Sequence, residues 1–406
     1  MRWKLLNILL LGNGFDLHHK FPTAYIDFLH TIKFLVGHYD ESTMKTVASV
    51  FGDERLKSRC KNIESSFVEY ERFYKETPLD NDKVISIIEK AKTNMWFKYF
   101  STAVEKELTW IDFEKEISEV ISTFREFFAG NGLNFSFNAR LSSERARYIF
   151  RQFAFFTERV PNAMMVGGQV HTAKIEYKKE NPIASKIYEM DKEKIIAELY
   201  LSLRELTDLL KSYLKLFVDA VATIIQDYGF SIKNRTYPDV HRVFTFNYTN
   251  TIEKLYTTED VVCHIHGIVD NDIVLGVNPD KYDEFEDMDT SFIRFKKYFQ
   301  RVFYKTDIGY LKSINRLIES QQLAPHYAKE RNVYVIGHSL DETDKDIIQE
   351  IFSLATKIKI FYHKDEVVGD YIKNLIAIYG KTGFDSLRTA KDIEFAPHEQ
   401  SELYHS

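Results

Sequence analysis

Residues 9–25 read LLLGNGFDLHHKFPTAY, and they continue an apolar run that begins at residue 5. An apolar run without alternation is typical of a parallel strand covered by helices on both faces. Gly12-Asn13-Gly14 after such a strand lets backbone N–H groups approach a phosphate, and a helix N-terminus would follow. The stretch predicts either a phosphate loop or a tight strand-to-helix turn. A full dinucleotide fingerprint would need glycine where this chain has Leu17.

Further apolar runs bounded by turn residues predict more parallel strands, over 242–246, 260–265, 273–277, 332–336 and 358–362. The long interval after the first run is mostly helical in pattern. Apolar residues recur at helical spacing from Trp110 to Phe127, and again from about Lys192 to Tyr228, with Gly229 as a C-cap. The second helix would be about 50 Å long, so it packs either within the insertion or on a partner subunit.

The predicted fold class is therefore α/β, a parallel sheet with a large helical insertion. The expected division is a split α/β domain over 1–36 and 237–380, a helical insertion over 37–236 and a C-terminal tail over 381–406.

Composition excludes several classes of protein. The 406 residues carry a net charge of −6 with dispersed basic residues, so nucleic acid is not an expected partner. Two distant cysteines, Cys60 and Cys263, make neither a disulfide framework nor a Cys-x-x-Cys zinc site. The apolar run at 5–11 is too short for a membrane span and lacks a cleavage site, so we expect a cytoplasmic protein.

Three later clusters also follow predicted strands. Asn247 and Tyr248 follow the strand at 242–246, where Asn247 is either a ligand contact or a turn and cap residue. His264 and His266 precede Gly267, and His266 is either a general base or ribose contact or a buried structural histidine. Gly337, His338 and Ser339 open the last cluster, with Asp344 behind them as a nucleotide contact or a helix N-terminal charge.

The four clusters in the order GNGFD, TFNYTN, HIHG and GHSL resemble the sirtuin-like, Rossmann-like nicotinamide-dinucleotide fold. They are more similar still to the bacterial abortive infection AbiH family, in which Thr23 and Tyr25 and the Trp-x-Asp-x-Glu segment at 110–114 also have counterparts. The resemblance implies a phage-defence effector that binds and hydrolyses NAD, an NAD glycohydrolase.

By the same analogy, Asn247 holds the nicotinamide ribose or its attacking water, and His266 is the catalytic histidine. The resemblance implies three groups of nucleotide-binding residues. They are the phosphate loop with the residues that follow it (Gly12, Asn13, Gly14, Phe15, Asp16, Thr23 and Tyr25), the pair Asn247 and Tyr248, and the residues on the adenosine side (Gly337, His338, Ser339 and Asp344). Two cysteines cannot supply the four-cysteine zinc module of sirtuin deacylases, and Asn247-Tyr248-Thr249 lacks the carboxylate of the sirtuin Asn-Ile-Asp.

The chemistry can be considered without the family. Cleavage of the nicotinamide N-glycosidic bond passes through an oxocarbenium-like centre and releases a neutral leaving group. The site then needs a group that activates water and acidic groups that favour positive charge. His266 and Asn247 are candidates for the first role. Within the insertion, Glu114 is a better acidic candidate than Asp112, which points away from the apolar stripe and is alternatively part of a capping box. Asp16 is a further acidic candidate, and its alternative role is a helix N-cap.

The segment FIRFKKYFQRVFYK at 292–305 places its phenylalanines on one helical face and its basic residues off it. This pattern predicts a core-packed helix with a solvated basic side.

Two rival functions remain open from the sequence. One is a non-catalytic NAD or ADP-ribose sensor that controls a partner, and the other is a metal-dependent nuclease or nucleotide-processing effector. We predict no metal site. A phage-derived trigger, a homo-oligomer or a defence partner bound through the insertion are the other expected interactions.

Overall fold

The computed structural model describes residues 5–103, 110–129, 143–153, 156–158, 175–177, 192–233, 240–256, 261–278, 290–323, 330–398 and 402–405. Its central feature is a six-stranded, wholly parallel sheet. The strands are β1 (Leu5–Leu11), β2 (Arg242–Thr245), β3 (Val261–His264), β4 (Glu330–Ile336), β5 (Lys357–Tyr362) and β6 (Asp392–Pro397).

The spatial order of the strands is β3-β2-β1-β4-β5-β6. This is the order of the doubly wound fold that binds dinucleotides, in which the chain reverses direction across the sheet between β1 and β4. Ligands in such sheets bind outside the carboxyl ends of the strands at that reversal. The predicted class, α/β with a Rossmann-like parallel sheet, is confirmed.

Burial of β1 explains its uninterrupted apolar sequence. Leu9 and Leu11 pack into a core shared with the insertion, while Ile8 and Leu10 pack into a second core on the opposite face. All four side chains are at most 1% exposed. A strand covered on both faces has no polar side to display, so the alternation that marks a half-exposed strand is absent.

Two strand predictions need correction. Residues 273–277 form no strand, because their pairing is limited to isolated bridges from Ile273 to Gly267 and from Val277 to Lys296. The segment predicted as a C-terminal tail instead supplies β6, which pairs with β5 over Lys357–Tyr362. Its polar and charged residues, such as Glu394, suit an edge strand that faces solvent, which is why the apolar pattern missed it.

The insertion is built from helices that cover one face of the sheet. They are Val47–Phe51, Glu54–Lys57, Lys61–Glu76, Asn81–Thr93, Met95–Ala103, Trp110–Ala129, Glu144–Gln152 and Lys192–Tyr213, the last continuing through a π turn at Leu214–Asp219 into Ala220–Asp227. The predicted long helix is confirmed, and Gly229 follows it with a φ of +70°. The insertion also contains the short paired strands Phe156–Glu158 and Ile175–Tyr177.

The remaining helices connect or flank the strands. They are Asn13–His18, Tyr25–His38, Thr251–Leu255, the 3-10 turn Thr290–Phe295, Lys297–Tyr304, Ile308–Leu323, the 3-10 turn Glu342–Asp344, Lys345–Leu354 and Val367–Ala390. A last strand, Glu402–His405, pairs antiparallel with Phe230–Lys233. No helix within the described ranges is long and apolar enough to cross a membrane.

Of the segment predicted as one core-packed helix at 292–305, Phe292 and Phe295 are buried and Arg294 is exposed as predicted, whereas the helix Lys297–Tyr304 is oriented opposite to the prediction. Lys297 and Arg301 are buried at 1% and 3% exposure, whereas Phe303 is 60% exposed. The basic residues face inward because carboxylates lie there to pair with them, Glu114 with Lys297 and Asp346 with Arg301.

Candidate functional site

A cleft of about 980 Å³ opens at the carboxyl ends of the parallel strands. The loops after β1 and β4 meet there, at the reversal of the strand order, and the insertion contributes to its wall through Glu114 and Leu214. Thirteen residues proposed from the sequence line it: Gly12, Asn13, Gly14, Asp16, Thr23, Glu114, Asn247, Tyr248, His266, Gly337, His338, Ser339 and Asp344.

The glycines bring two loops into backbone contact. The Gly14 N–H donates to the Gly337 carbonyl at 2.8 Å, and the Gly12 N–H donates to the Ile336 carbonyl at 3.1 Å. Gly337 has a φ of +66°, and a Cβ there would lie 2.0 Å from the Phe15 nitrogen. The glycines are thus required by this loop contact, and the Gly14 N–H is already engaged rather than directed at a phosphate.

Two proposed nucleotide contacts lie outside the cleft lining. The Phe15 ring packs 4.5 Å from His19 and 5.7 Å from Tyr256. The Tyr25 ring stacks 3.6 Å from Phe113, with no exposed surface. Both side chains support the wall from behind, and the sequence could not separate them from their cleft-facing neighbours because they share one short motif.

Asp344 is the centre of a buried charged cluster. Lys297 Nζ donates to Asp344 Oδ1 at 2.9 Å and pairs with Glu114 Oε2 at 2.8 Å. His266 Nε2 lies 3.3 Å from Asp344 Oδ1, and His338 Nε2 lies 3.5 Å from Asp344 Oδ2. The cluster therefore joins groups from the insertion, from the segments after β3 and β4 and from the helix that begins at Lys297.

The position of His338 is fixed from both sides. Its Nδ1 accepts a hydrogen bond from the Leu340 N–H at 2.9 Å, which leaves Nε2 to carry the proton toward Asp344. The Phe246 ring lies 4.2 Å from the His338 ring and 5.1 Å from the His266 ring. The Phe246 ring thus contacts both imidazoles, which lie at different oxygens of the Asp344 carboxylate.

Burial and the single lysine decide the proton state of the cluster. Burial raises the pKa of Asp344, but Lys297 and the two histidines outweigh it and hold that pKa well below its ordinary value. Burial also raises the pKa of Glu114, and Lys297 offsets this only in part, so the pKa is about 7. Burial and Lys297 lower the His266 pKa to about 4, against a smaller opposing effect of Asp344. His266 is consequently neutral at physiological pH.

A second carboxylate in the cleft, Asp16, has only neutral hydrogen-bond donors. The Thr249 hydroxyl donates to Asp16 Oδ2 at 2.5 Å. Burial raises the Asp16 pKa to about 6, with hydrogen bonds from Thr249, Thr251 and Asn247 acting in the opposite direction. Asp16 Oδ1 and Asn247 Oδ1 have no hydrogen-bond partner among the described residues. Asp16 lies within helix Asn13–His18, so the N-cap interpretation is wrong.

A family model described as bacteriophage abortive infection AbiH matches residues 8–363, most of the chain. The chain belongs to the AbiH family. No curated protein and no solved structure matches it. The match runs from β1 through the end of β5 and includes the insertion, so every member of the charged cluster lies within the family region.

In this AbiH chain the two histidines of His264-x-His266 have different surroundings. His264 Nδ1 donates to the Asn247 carbonyl at 2.9 Å, and its Nε2 lies 2.7 Å from Glu253 Oε1. His264 thereby holds the loop that presents Asn247, while His266 lines the cleft. Within the described part of the chain, no three His, Cys, Asp or Glu residues are arranged to hold a metal ion.

The alternative interpretation of Asn247 as a cap is wrong, and its neighbour Asn250 does not cap a helix through its side chain either. The Asn247 N–H donates to Thr245 Oγ1 at 3.1 Å, and its side chain lines the cleft. Asn250 stands before helix Thr251–Leu255 without a side-chain cap bond, and donates instead to Asp219 and Asp270. The side chain of Asp112 and all of Thr109, which would form the proposed capping box, fall outside the described residues.

Two buried charged residues that line the AbiH cleft, Lys297 and Asp27, were not among the residues proposed from the sequence. Lys297 was assigned to solvent because its neighbours at helical spacing are aromatic. Asp27 was not considered, yet it is fully buried, lines the cleft and accepts from the Ala24 N–H and Asn62 Nδ2, each at 3.1 Å. Burial raises the pKa of Asp27 to about 7, only partly offset by these bonds. No sequence motif marks either residue, and the partners of Lys297, Glu114 and Asp344, are too far away in sequence to indicate a buried lysine.

Proposed function

We propose that this AbiH-family protein is an abortive-infection effector that binds NAD in the cleft, in the manner of sirtuin-like proteins, and hydrolyses its nicotinamide N-glycosidic bond. The observation that supports this most is the neutral, buried His266 next to the ionised Asp344, in a cleft at the strand reversal of a sheet with the dinucleotide-binding order. Fold alone would not support an activity, so the proposal depends on these groups.

The size of the cleft and its buried hydrogen-bond acceptors are suited to a nucleotide. Its volume of about 980 Å³ is at the upper end of small-molecule sites. Asp16 Oδ1 and Asn247 Oδ1 are buried acceptors without a partner in the described residues, and such groups are costly unless a ligand satisfies them. The two hydroxyls of a ribose are donors that would do so.

The reaction follows from the charges around the cleft. The bond between ribose C1′ and the nicotinamide nitrogen breaks, and its electron pair leaves with nicotinamide as a neutral base. A water oxygen then bonds to C1′ and gives its proton to the neutral His266 imidazole, while Asp344 stabilises the imidazolium that forms. Asn247 orients the ribose or the water. The carboxylates of Asp16 and Glu114 favour the positive charge that develops on the sugar. The proton finally passes to solvent, leaving ADP-ribose.

The test is release of nicotinamide from NAD by the purified full-length protein, followed by chromatography at neutral pH. We expect turnover in the wild type and a loss of about 10²- to 10⁴-fold in His266→Ala, the usual range for a positioned acid–base group. Asn247→Ala should also lose activity. His38→Ala, at an exposed position on helix Tyr25–His38, is the matched control and should retain it.

Other outcomes discriminate between the rival functions. Binding of NAD without turnover, also after addition of lysate from phage-infected cells, would favour the non-catalytic sensor. Turnover abolished by EDTA would contradict the metal-free mechanism and favour the metal-dependent effector. Neither binding nor turnover in either condition would overturn the proposal.

A further inference from the structure

Lys297 occupies a position that the proposed chemistry does not by itself explain. Its ammonium group is in contact with two carboxylates, Glu114 Oε2 at 2.8 Å and Asp344 Oδ1 at 2.9 Å, and the side chain is 1% exposed. Glu114 belongs to helix Trp110–Ala129 of the insertion, and Asp344 ends the 3-10 turn that follows β4. The lysine thus connects the insertion to the sheet domain across the wall of the cleft.

We propose that Lys297 is a positioning residue which, by bridging Glu114 and Asp344, fixes Asp344 as the ionised partner of His266 and keeps the imidazole neutral. This inference deepens the proposed function and rests on it for its kinetic consequence. Its electrostatic consequence can be measured without turnover.

The argument is one of charge balance in a buried space. Two carboxylates close to one another in the interior oppose each other's ionisation, and a cation between them reduces that cost. Lys297 supplies that cation, and its pKa is raised because the two carboxylates outweigh the effect of burial. Without it, Glu114 and Asp344 would compete for one proton, and His266 would keep an acidic neighbour with no opposing charge.

The other charged groups around the cluster do not replace Lys297. Arg301 is buried nearby and affects His266 in the same direction, but it pairs with Asp346. Tyr25 and Tyr248 are neutral phenols with pKa values raised by burial. Asp341 adds a further negative charge near Glu114. His338 meets the second oxygen of Asp344.

The decisive experiment is the titration of the His266 ring by NMR in full-length protein labelled with ¹³C-histidine. The His266→Gln variant assigns its signal among the 13 histidines. In the wild type we expect a ring that stays neutral down to about pH 4. In Lys297→Met the ring should titrate about one to three pKa units higher, a ten- to thousand-fold gain in proton affinity. Lys297→Arg keeps the charge and should titrate close to the wild type.

Lys296→Met is the matched control, since Lys296 is also buried, at 4% exposure, but donates to the Asn278 carbonyl at 3.1 Å. It should leave the His266 titration unchanged. If Lys297→Met fails to fold, the double variant Lys297→Met/Glu114→Gln removes the conflict between the carboxylates and should still show the raised titration. An unchanged His266 titration in a folded variant without Lys297 overturns the proposal.

Kinetics give a second readout. The acidic limb of kcat/KM for nicotinamide release should move to higher pH in Lys297→Met by the same number of units, which a merely structural lysine would not cause. Absence of NAD cleavage in the wild type would defeat the proposed function but leave the titration to decide the role of Lys297. Cleavage with an unmoved titration would defeat only the role of Lys297.

Discussion

Asp16 and Asp344 line the same cleft and are both buried, at 1% and 7% exposure, yet their environments differ in one respect. Asp344 has a lysine and two histidines around it, and its pKa is held well below the ordinary value of 3.8 although burial acts to raise it. Asp16 has hydroxyl and amide donors, and burial prevails, raising its pKa to about 6.

The difference shows that burial alone does not decide the charge of a carboxyl group in this protein. Lys297 and two histidines together keep Asp344 ionised, whereas the pKa of Glu114 is raised to about 7 although it contacts the same lysine. Hydrogen bonds from neutral donors offset only part of the cost of desolvation. Asp344, on the His266 side of the cleft, is therefore ionised at neutral pH, whereas Asp16, like Glu114 and Asp27, changes charge near neutral pH. Asp344 is suited to stabilising an imidazolium, and Asp16 to accepting hydrogen bonds from the hydroxyls of a ligand.

Replacing Asp344 and Asp16 by asparagine, each in turn, should show the difference between the two carboxyl groups most clearly. Asp344→Asn removes the anionic partner of Lys297, and breaking a buried pair costs about 3–5 kcal/mol. We expect the lower part of that range, because Glu114 remains bound to Lys297. The measurement is urea unfolding at pH 7.

The sign of the pH dependence provides a check on this result. A depressed folded pKa contributes stability above the unfolded value of 3.8 and loses it as the pH falls through the folded value. The cost of Asp344→Asn should therefore be full at pH 7 and decrease below about pH 4. An Asp344→Asn protein as stable as the wild type at pH 7 would show that the ion pair contributes nothing net.

Asp16→Asn should give the opposite pH dependence. Its raised folded pKa contributes stability that is complete below the unfolded value of 3.8 and is lost as the pH rises through about 6. The amide does not ionise, so the free energy of unfolding of Asp16→Asn, relative to that of the wild type, should increase between pH 4 and pH 8. The gain is up to about 3 kcal/mol, from 1.36 kcal/mol per pKa unit. Parallel unfolding curves at pH 4.5, 6 and 8 measure it, and a difference that does not vary with pH would contradict the assignment.

The smallest effect is expected from the hydroxyl next to Asp16. Thr249→Val keeps the shape of the side chain and deletes the hydrogen bond to Asp16 Oδ2, which should cost about 1–2 kcal/mol at pH 8. The cost should decrease at pH 5, where Asp16 is mostly protonated. Thr102→Val, whose exposed hydroxyl bonds to its own helix at Lys98, serves as the control. Equal effects of the two substitutions would mean that the Asp16 contact has no special electrostatic value.

Much of the sheet was predictable from local pattern. β1, β2, β3, β4 and β5 were each anticipated from short apolar runs, because a strand buried on both faces must be apolar throughout. The edge strand β6 was missed for the converse reason, since its residues are partly exposed. The run at 273–277 is equally apolar but lies in a connecting segment, where burial alone produces the same composition.

The cleft was partly predictable for a related reason. Motifs that follow parallel strands must meet at one edge of the sheet, and residues 12–14, 16, 247–248 and 337–339 do line one cleft there. Which residue of each motif faces the cleft, and which one supports it, was not predictable. His264 supports a loop while His266 faces the cleft, and Tyr25 packs on Phe113 while Thr23 lines the wall.

The sequence by itself determined the parallel sheet, the long helices of the insertion and the edge at which the motifs gather, because these depend on hydrophobic periodicity along the chain. Only the tertiary structure decided the charges of the cleft. Lys297, Glu114 and Asp344 are far apart in sequence, and their ionisation depends on distances of about 3 Å that no local pattern encodes. The physical reason is that the hydrophobic pattern acts through neighbours along the chain, whereas a buried charge is determined by whatever the fold brings next to it.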